Sequence, residues 1–242
     1  MIELYNEDCF ERCENLKPYS IDLVLTDPPY KLYTVGHGIM DNNANLRKAQ
    51  DSLKKIKDGY DIKRFAQIVA RLQKNINAYF FCSKNQIYEY MQVYIGEMKC
   101  NVDLLSWHKT QAPPFYYGKY LNDTEYILHF FKGQRTTYPV SYKDAASYEI
   151  TPPIRSIRGE TRYDHPTQKP LALVQRLIRN SSQEGGVVLD PFMGSGTTGE
   201  ACVRENRQFI GMEIDKKYFK TAQERIQRAT QDGKGEQLHL FG

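Results

Sequence analysis

Apolar positions along the chain fall into short runs that alternate between two periods. Residues 1–5, 21–26, 78–82, 103–107, 125–131, 186–189 and 208–214 are continuous or alternating apolar segments of strand length. Between them, apolar residues recur at helical spacing: Phe65, Ile68, Val69, Leu72 and Ile76; Ile87, Met91, Tyr94, Ile95 and Met98; Leu171, Val174, Leu177 and Ile178; Tyr218, Phe219, Ala222, Ile226 and Ala229. Strands alternating with amphipathic helices predict an α/β protein, a largely parallel sheet with helices on both faces. Residues 10–16 read as a helical turn. A helix is expected to open at His165-Pro166-Thr167-Gln168-Lys169-Pro170, with Thr167 as N-cap and Pro170 in its first turn.

Two stretches break the alternation. Residues 31–59 are polar and weakly periodic, and nine basic residues against three acidic ones lie between Arg47 and Lys74. This run is either a surface facing a polyanion or a solvated helix face. Residues 132–162 are polar and aromatic without a clear period and carry Arg135, Arg155, Arg158 and Arg162, so they form a surface excursion or a recognition element. The tail is polar and glycine-bearing over 231–236 and then turns apolar. Overall, 40% hydrophobic and 26% charged residues describe an ordinary globular chain with a net charge of +4, and no run approaches the ~18 apolar residues of a membrane span. The start lacks the basic and apolar regions of a signal peptide, which predicts a cytoplasmic protein. Five scattered cysteines without a CxxC pair read as reduced thiols, and no metal site is expected.

The chemistry concentrates in two places. The run Leu23-Val24-Leu25-Thr26 is a buried strand halted by Asp27-Pro28-Pro29-Tyr30, because proline lacks an N–H and fixes its own backbone. A carboxylate, proline carbonyls and a flat ring held at a strand's carboxyl end suit an exocyclic amine on a planar heterocycle. The plainer alternative is a Pro-Pro turn with Asp27 as a cap. The second place is Asp190-Pro191-Phe192-Met193-Gly194-Ser195-Gly196-Thr197-Thr198-Gly199, a glycine loop between strand and helix, with Glu213 and Asp215 some twenty residues on. Alone it matches a dinucleotide-binding turn. However, the 43 residues beyond Gly199 are too few for a complete nucleotide-binding half, so strands must come from the N-terminus. Residues 1–5 and 21–26 are expected to flank the glycine-loop strand. Asp8, Asp27, the loop and Glu213 then share one carboxyl edge, where a ligand with adenosine at one end and a reactive group at the other would fit.

In this order, Asp27-Pro28-Pro29-Tyr30, His165-Pro166-Thr167-Gln168-Lys169-Pro170 and the Asp190 loop resemble the beta class of S-adenosylmethionine-dependent DNA amino-methyltransferases. Trp107-His108-Lys109 and Glu125-Tyr126-Ile127-Leu128 resemble its intermediate region. The resemblance implies a Rossmann-like class I methyltransferase sheet, circularly permuted, with small DNA-recognition insertions. It divides the chain into a catalytic domain (1–30, 61–131, 163–230), a DNA-contacting basic insertion (31–60), a target-recognition segment (132–162) and a flexible tail (231–242). It further implies that S-adenosylmethionine lies on Asp190, Phe192, Gly194, Gly196 and Thr197, with Glu213 on the ribose, Asp8 on the adenine amine, and Thr167 and Lys169 closing the methionine side. Asp8 as a simple cap is the competing reading.

Catalysis on Asp27, Pro28, Pro29 and Tyr30 would then be site-specific methylation of double-stranded DNA within a bacterial or phage-infected cell, near the nucleoid, as in restriction–modification. The exocyclic amine would donate hydrogen bonds to the Asp27 carboxylate and the Pro28 carbonyl, and Tyr30 would stack on the flipped base. Asp at the motif's first position implies adenine N6, with cytosine N4 the alternative. A dinucleotide-dependent oxidoreductase, a non-catalytic DNA-binding module and transfer to RNA or protein are more remote. Gln237, Leu238, Leu240 and Phe241 resemble the peptide that docks replication and repair proteins onto the bacterial sliding clamp, with packing of the tail on its own domain as the alternative. A homodimer stays open.

Overall fold

The computed structural model describes residues 1–29, 60–110, 120–121, 123–134, 138–152, 154–163, 165, 167–232 and 238–241. Tyr30, the basic insertion from 31 to 59, Arg135 and Gln237 lie outside the described residues. The described strands are β1 (Ile2–Tyr5), β2 (Leu23–Thr26), β3 (Ile76–Cys82), β4 (Asn101–Lys109), β5 (Thr124–Lys132), β6 (Tyr148–Thr151), β7 (Val187–Asp190), β8 (Gln208–Met212) and β9 (Leu238–Phe241). They form one sheet in the order β6-β4-β5-β3-β2-β7-β8-β1-β9. All run parallel except β5, which is antiparallel to both neighbours.

The pleat sends alternate residues to opposite faces, and each face meets its own helices. Val24, Ala78, Phe80 and Phe130 pack with Phe65, Val69 and Leu72 of α2 (Ile62–Leu72) and with Tyr90 of α3 (Ile87–Met91), near α1 (Cys9–Glu14). Leu23, Leu25, Tyr79 and Phe81 pack on the other side with Leu173, Val174 and Leu177 of α4 (Leu171–Ser181), Ala201 of α5 (Thr197–Arg204) and Ile226 of α6 (Lys216–Asp232). Helix α2 starts where the Asp61 side chain accepts from the Arg64 N–H at 3.0 Å. Helix α3 runs on into a π-helical turn, Gln92–Glu97.

Four expectations need correction or extension. Strand β2 does pair with β7, but β1 does not flank it: β8 intervenes, and β1 pairs with β8 (Leu4 opposite Gly211). The reason is that the loop from β7 leads through α5 into its own neighbouring strand, which takes the adjacent slot. The helix expected at 165–170 begins only at Leu171, and Thr167 is not its cap. Pro170 sits at the N-cap with extended backbone, and the Leu171 N–H is taken by Glu160 Oε2 at 3.0 Å. The aperiodic segment 132–162 holds a short strand, β6, beside β4. Leu238–Phe241, read as part of a flexible tail, runs parallel to β1 as the last strand of the sheet.

Candidate functional site

Because β1, β2, β7 and β8 are mutually parallel, their carboxyl ends emerge on one edge. Asp8, Asp27, the glycine loop and Glu213 therefore do lie along it. Antiparallel β5 brings its beginning to the same edge, placing Glu125 opposite Trp107 and Tyr126 opposite Cys82.

Asp190 fastens the two halves of this edge together. It accepts from Thr26 Oγ1 at 2.7 Å, from Thr198 Oγ1 at 2.6 Å and from the Phe192 N–H at 3.1 Å. Thr26 immediately precedes Asp27, so the acid at the end of β2 and the loop after β7 share one buried anchor. Burial drives the Asp190 carboxyl up to about 6, against the pull of the Thr198, Thr26 and Phe192 bonds. The loop turns on Gly194 and Gly196, whose φ angles of 52° and 79° favour glycine. A Cβ on Gly196 would lie 2.9 Å from the Ala222 backbone.

Glu213, at the end of β8, accepts from the Gly194 N–H (3.1 Å) and the Asp215 N–H (2.7 Å). Burial raises its carboxyl to about 7, outweighing those bonds. Asp8 Oδ1 accepts from the N–H groups of Phe10 (2.9 Å) and Glu11 (3.2 Å), capping α1. The capping interpretation of Asp8 thus describes one of its oxygens. Phe192 packs edge-on to Tyr60 with ring centroids 5.4 Å apart. Thr197 turns its hydroxyl into the interior, where it accepts from Arg225 at 2.7 Å. Thr167 is exposed, and its carbonyl accepts from Lys169 at 3.2 Å.

Lys169 joins the cofactor motif to the Asp27 side of the edge. Its buried ammonium donates to Asp27 Oδ2 and pairs with Glu125 Oε2 at 3.3 Å, while Lys109 pairs with the other oxygen of Glu125. Burial lowers the Lys169 pKa and raises that of Glu125, but the opposite charges prevail in both, so that Lys169 is raised and Glu125, held by Lys169 and Lys109, is lowered. Glu125 and Lys109 were missing from the expected site. Their sequence signal was the resemblance of Trp107-His108-Lys109 and Glu125-Tyr126-Ile127-Leu128 to the family's intermediate region, which assigned neither residue a role.

The segment carrying Lys169 is itself held by a buried charge cluster. Arg225 on α6, 1% exposed, pairs with Glu200 at 2.5 Å and Glu160 at 3.7 Å and covers the Tyr163 ring at 4.6 Å. Gln168 donates to Glu160 (3.2 Å) and to the Thr161 carbonyl (2.8 Å). Further along α4, Arg176 donates to the carbonyls of Ala146 (2.9 Å) and Tyr148 (3.2 Å), and Asn180 to that of Asp144 (2.7 Å). The Asn180 carbonyl accepts from the Tyr138 N–H at 2.6 Å.

A family model described as a DNA methylase, covering N6 and N4 amino-methyltransferases, matches residues 21–224. The chain belongs to this family. Among curated relatives of this N6/N4 DNA methylase, the type II methyltransferase M2.LlaDCHI of Lactococcus lactis subsp. cremoris is 30% identical over 95% of the chain and 91% of its own length. The type II methyltransferase M.HinfI of Haemophilus influenzae is 28% identical over 90% of the chain, which spans 66% of that longer protein. The crystal structure of the M1.HpyAVI–SAM complex superposes with a TM-score of 0.66 at 32% identity, covering 93% of this chain and all of that one. Among the described residues, no helix is long and apolar enough to cross a membrane.

Proposed function

We propose that the chain transfers a methyl group from S-adenosylmethionine to the exocyclic N6 of an adenine flipped out of double-stranded DNA. The observation that carries this reading is the shared edge: the Asp27 carboxylate and the glycine loop stand side by side, locked through Thr26 and Asp190.

The donor set suits the cofactor. Glu213 offers a desolvated carboxylate of the kind vicinal ribose hydroxyls donate to, and Asp8, oriented by its cap, stands at the end of β1 for an adenine amine. The loop from Asp190 through Gly194 and Gly196 presents backbone beside a helix start, with Phe192 adding an aromatic wall. Thr197 would serve through its backbone, since its hydroxyl is engaged by Arg225. When bound, the cofactor supplies an electrophilic methyl on a sulfonium.

The chain's own residues position the nucleophile. An aryl amine is weakly nucleophilic because its lone pair is delocalised into the ring. Hydrogen bonds from it to the Asp27 carboxylate and the Pro28 carbonyl hold the nitrogen toward a pyramidal form with its lone pair free, so catalysis is largely orientation and electrostatics. The proton is released as the methyl arrives, when the amine has become acidic, so Asp27 need not be a strong base. Tyr30 would stack on the extruded base. Residues 31–60 would contact phosphates, and 132–162, fastened to α4 by Arg176 and Asn180, would read bases.

The strand order supports a permuted connectivity, because β7 and β8 from the last third of the chain lie between β2 and β1. The tail retains a second reading: Leu238–Phe241 would leave the edge of β1 and, with Gln237, dock on a sliding clamp, and a clamp pull-down unaffected by Leu240→Ala with Phe241→Ala would refute it.

Mass spectrometry of nucleosides from DNA treated with the protein and S-adenosylmethionine tests the main proposal. N6-methyladenine is expected; N4-methylcytosine instead would refute the choice of base, and methylation surviving in Asp27→Ala would refute the mechanism.

A further inference from the structure

Lys169 sits in a motif whose resemblance points to the cofactor, yet two of its described contacts are carboxylates of the catalytic edge. Its side chain is 7% exposed and reaches Asp27 Oδ2, Glu125 Oε2 and the Thr167 carbonyl, with the Phe81 ring 5.1 Å from the ammonium. Of its three N–H donors, the described residues take one at Asp27 Oδ2 and one at the Thr167 carbonyl, with Glu125 Oε2 as an ion-pair neighbour. Glu125 is held in turn by Lys109, which lies over the Trp107 ring at 4.8 Å. Four side chains from four places in the fold (the end of β2, the end of β4, the start of β5 and the turn before α4) thus form a quartet of two carboxylates and two ammoniums at the catalytic edge.

Of the four, Lys169 is the buried one, and a buried charge loses its hydration and is tolerated only when its partners are well placed. A lysine needed only to close over a methionine carboxylate would require neither Glu125 nor Lys109. We infer that Lys169 is a positioning residue for the Asp27 carboxylate, held in place by Glu125 and Lys109, and that it acts on the target amine through Asp27 rather than on the cofactor. This rests on the reading of Asp27 as the amine's acceptor. With one oxygen tethered, the carboxylate cannot rotate away from the entering base, and a neighbouring ammonium favours its ionised form. The tether also tempers its basicity, which suits an acceptor for an amine that loses its proton only as the methyl is transferred.

Among the described residues, the other titratable groups that sense the Asp27 charge are Cys82 on β3, Tyr90 on α3 and Asp190 on β7. Burial holds Cys82 up at about 12 and Tyr90 well above its ordinary value, so neither titrates near neutrality. Asp190, at about 6, does, and it remains in every variant below.

The test uses the full chain with Lys169→Gln, Lys169→Arg and Glu125→Gln. Turnover on DNA, S-adenosylmethionine affinity by calorimetry and titration of the Asp27 carboxyl by carbon-13 NMR are read for each. In Lys169→Gln, kcat is expected to fall by roughly 100-fold, within the range that positioning and proton-transfer effects span, while cofactor affinity changes by less than about threefold. The Asp27 midpoint should rise by about one pH unit or more as the neighbouring positive charge is lost, carrying the acidic limb of the activity profile with it. Lys169→Arg should restore most of the turnover. Glu125→Gln, which keeps the ammonium and loosens its seat, should move turnover and midpoint the same way by a smaller amount, and it decides the matter if Lys169→Gln does not fold. An unchanged Asp27 midpoint, or a large loss of cofactor affinity with kcat intact at saturation, overturns the inference while leaving methyl transfer standing. A wild-type protein that does not methylate DNA refutes the proposed function instead, and the NMR titration still decides what Lys169 does to Asp27.

Discussion

Glu213 offers a direct test of how the cofactor edge is built, through Glu213→Gln in the protein without cofactor. Burial raises the carboxyl from its ordinary 4.5 to about 7 in the folded state. The folded protein therefore binds this proton more tightly than the unfolded chain does. The stability it contributes is fully present below pH 4.5 and is lost as the pH rises through 7. Each pH unit of difference is worth about 1.4 kcal/mol, so ionising Glu213 costs the fold about 3 kcal/mol by pH 8. Glutamine has the shape of the protonated acid and does not titrate. Urea unfolding should find wild type and variant nearly equal at pH 4, with the variant more stable by about 3 kcal/mol at pH 8. In melting temperature that is roughly 6–12 °C for a chain of this size. Asp190 has the same sign of shift but is present in both proteins and cancels in the difference. A gap between the two proteins that does not change with pH, or that widens toward acid, would refute the reasoning. The stabilised variant should also bind S-adenosylmethionine more weakly, because its amide replaces the carboxylate that would receive the ribose hydroxyls.

Two further predictions concern the scaffold. Arg225→Met leaves the buried carboxylates of Glu200 and Glu160 without that partner and should cost about 3–5 kcal/mol in chemical denaturation; adding Glu200→Gln should recover part of the loss, and full additivity of the two would refute the charge-cluster explanation. Gly196→Ala combines a left-handed backbone angle with a Cβ 2.9 Å from Ala222 and should lower stability by about 2–3 kcal/mol in a thermal melt.

The sequence pattern disclosed most of what depends on local order. The buried runs that became β2 and β7, the end of β2 just before Pro28 and Pro29, and the glycine loop were all legible, because backbone chemistry fixes them within a few residues. The common carboxyl edge was legible too, since it follows from parallel strands. What escaped depended on neighbours distant in sequence. β8 rather than β1 took the place beside β7, which no local period encodes. β6 is four residues long with alternate residues exposed and lies in a stretch whose turns hide any period. α4 begins after Pro170 because Glu160, eleven residues back, supplies the acceptor that Thr167 was expected to provide. Lys169 was visible as part of a motif, but its engagement with Glu125 requires β5, the one antiparallel strand among those described, which delivers Glu125 to the edge.

The bonds by which α4 grips residues 138–148 are made almost entirely to the main chain. Arg176 and Asn180 reach the carbonyls of Ala146, Tyr148 and Asp144, and the Tyr138 N–H reaches back to Asn180. Main-chain atoms are the same whatever the residue. Side chains along this stretch other than Asp144 can therefore be exchanged without releasing it from the helix that follows Lys169, and its surface and the catalytic framework are free to diverge at different rates. For an engineer the same arrangement marks a graft point, in which a loop of equal length and path that keeps Asp144, the partner of Arg179 at 3.9 Å, would be received by anchors made otherwise to the main chain.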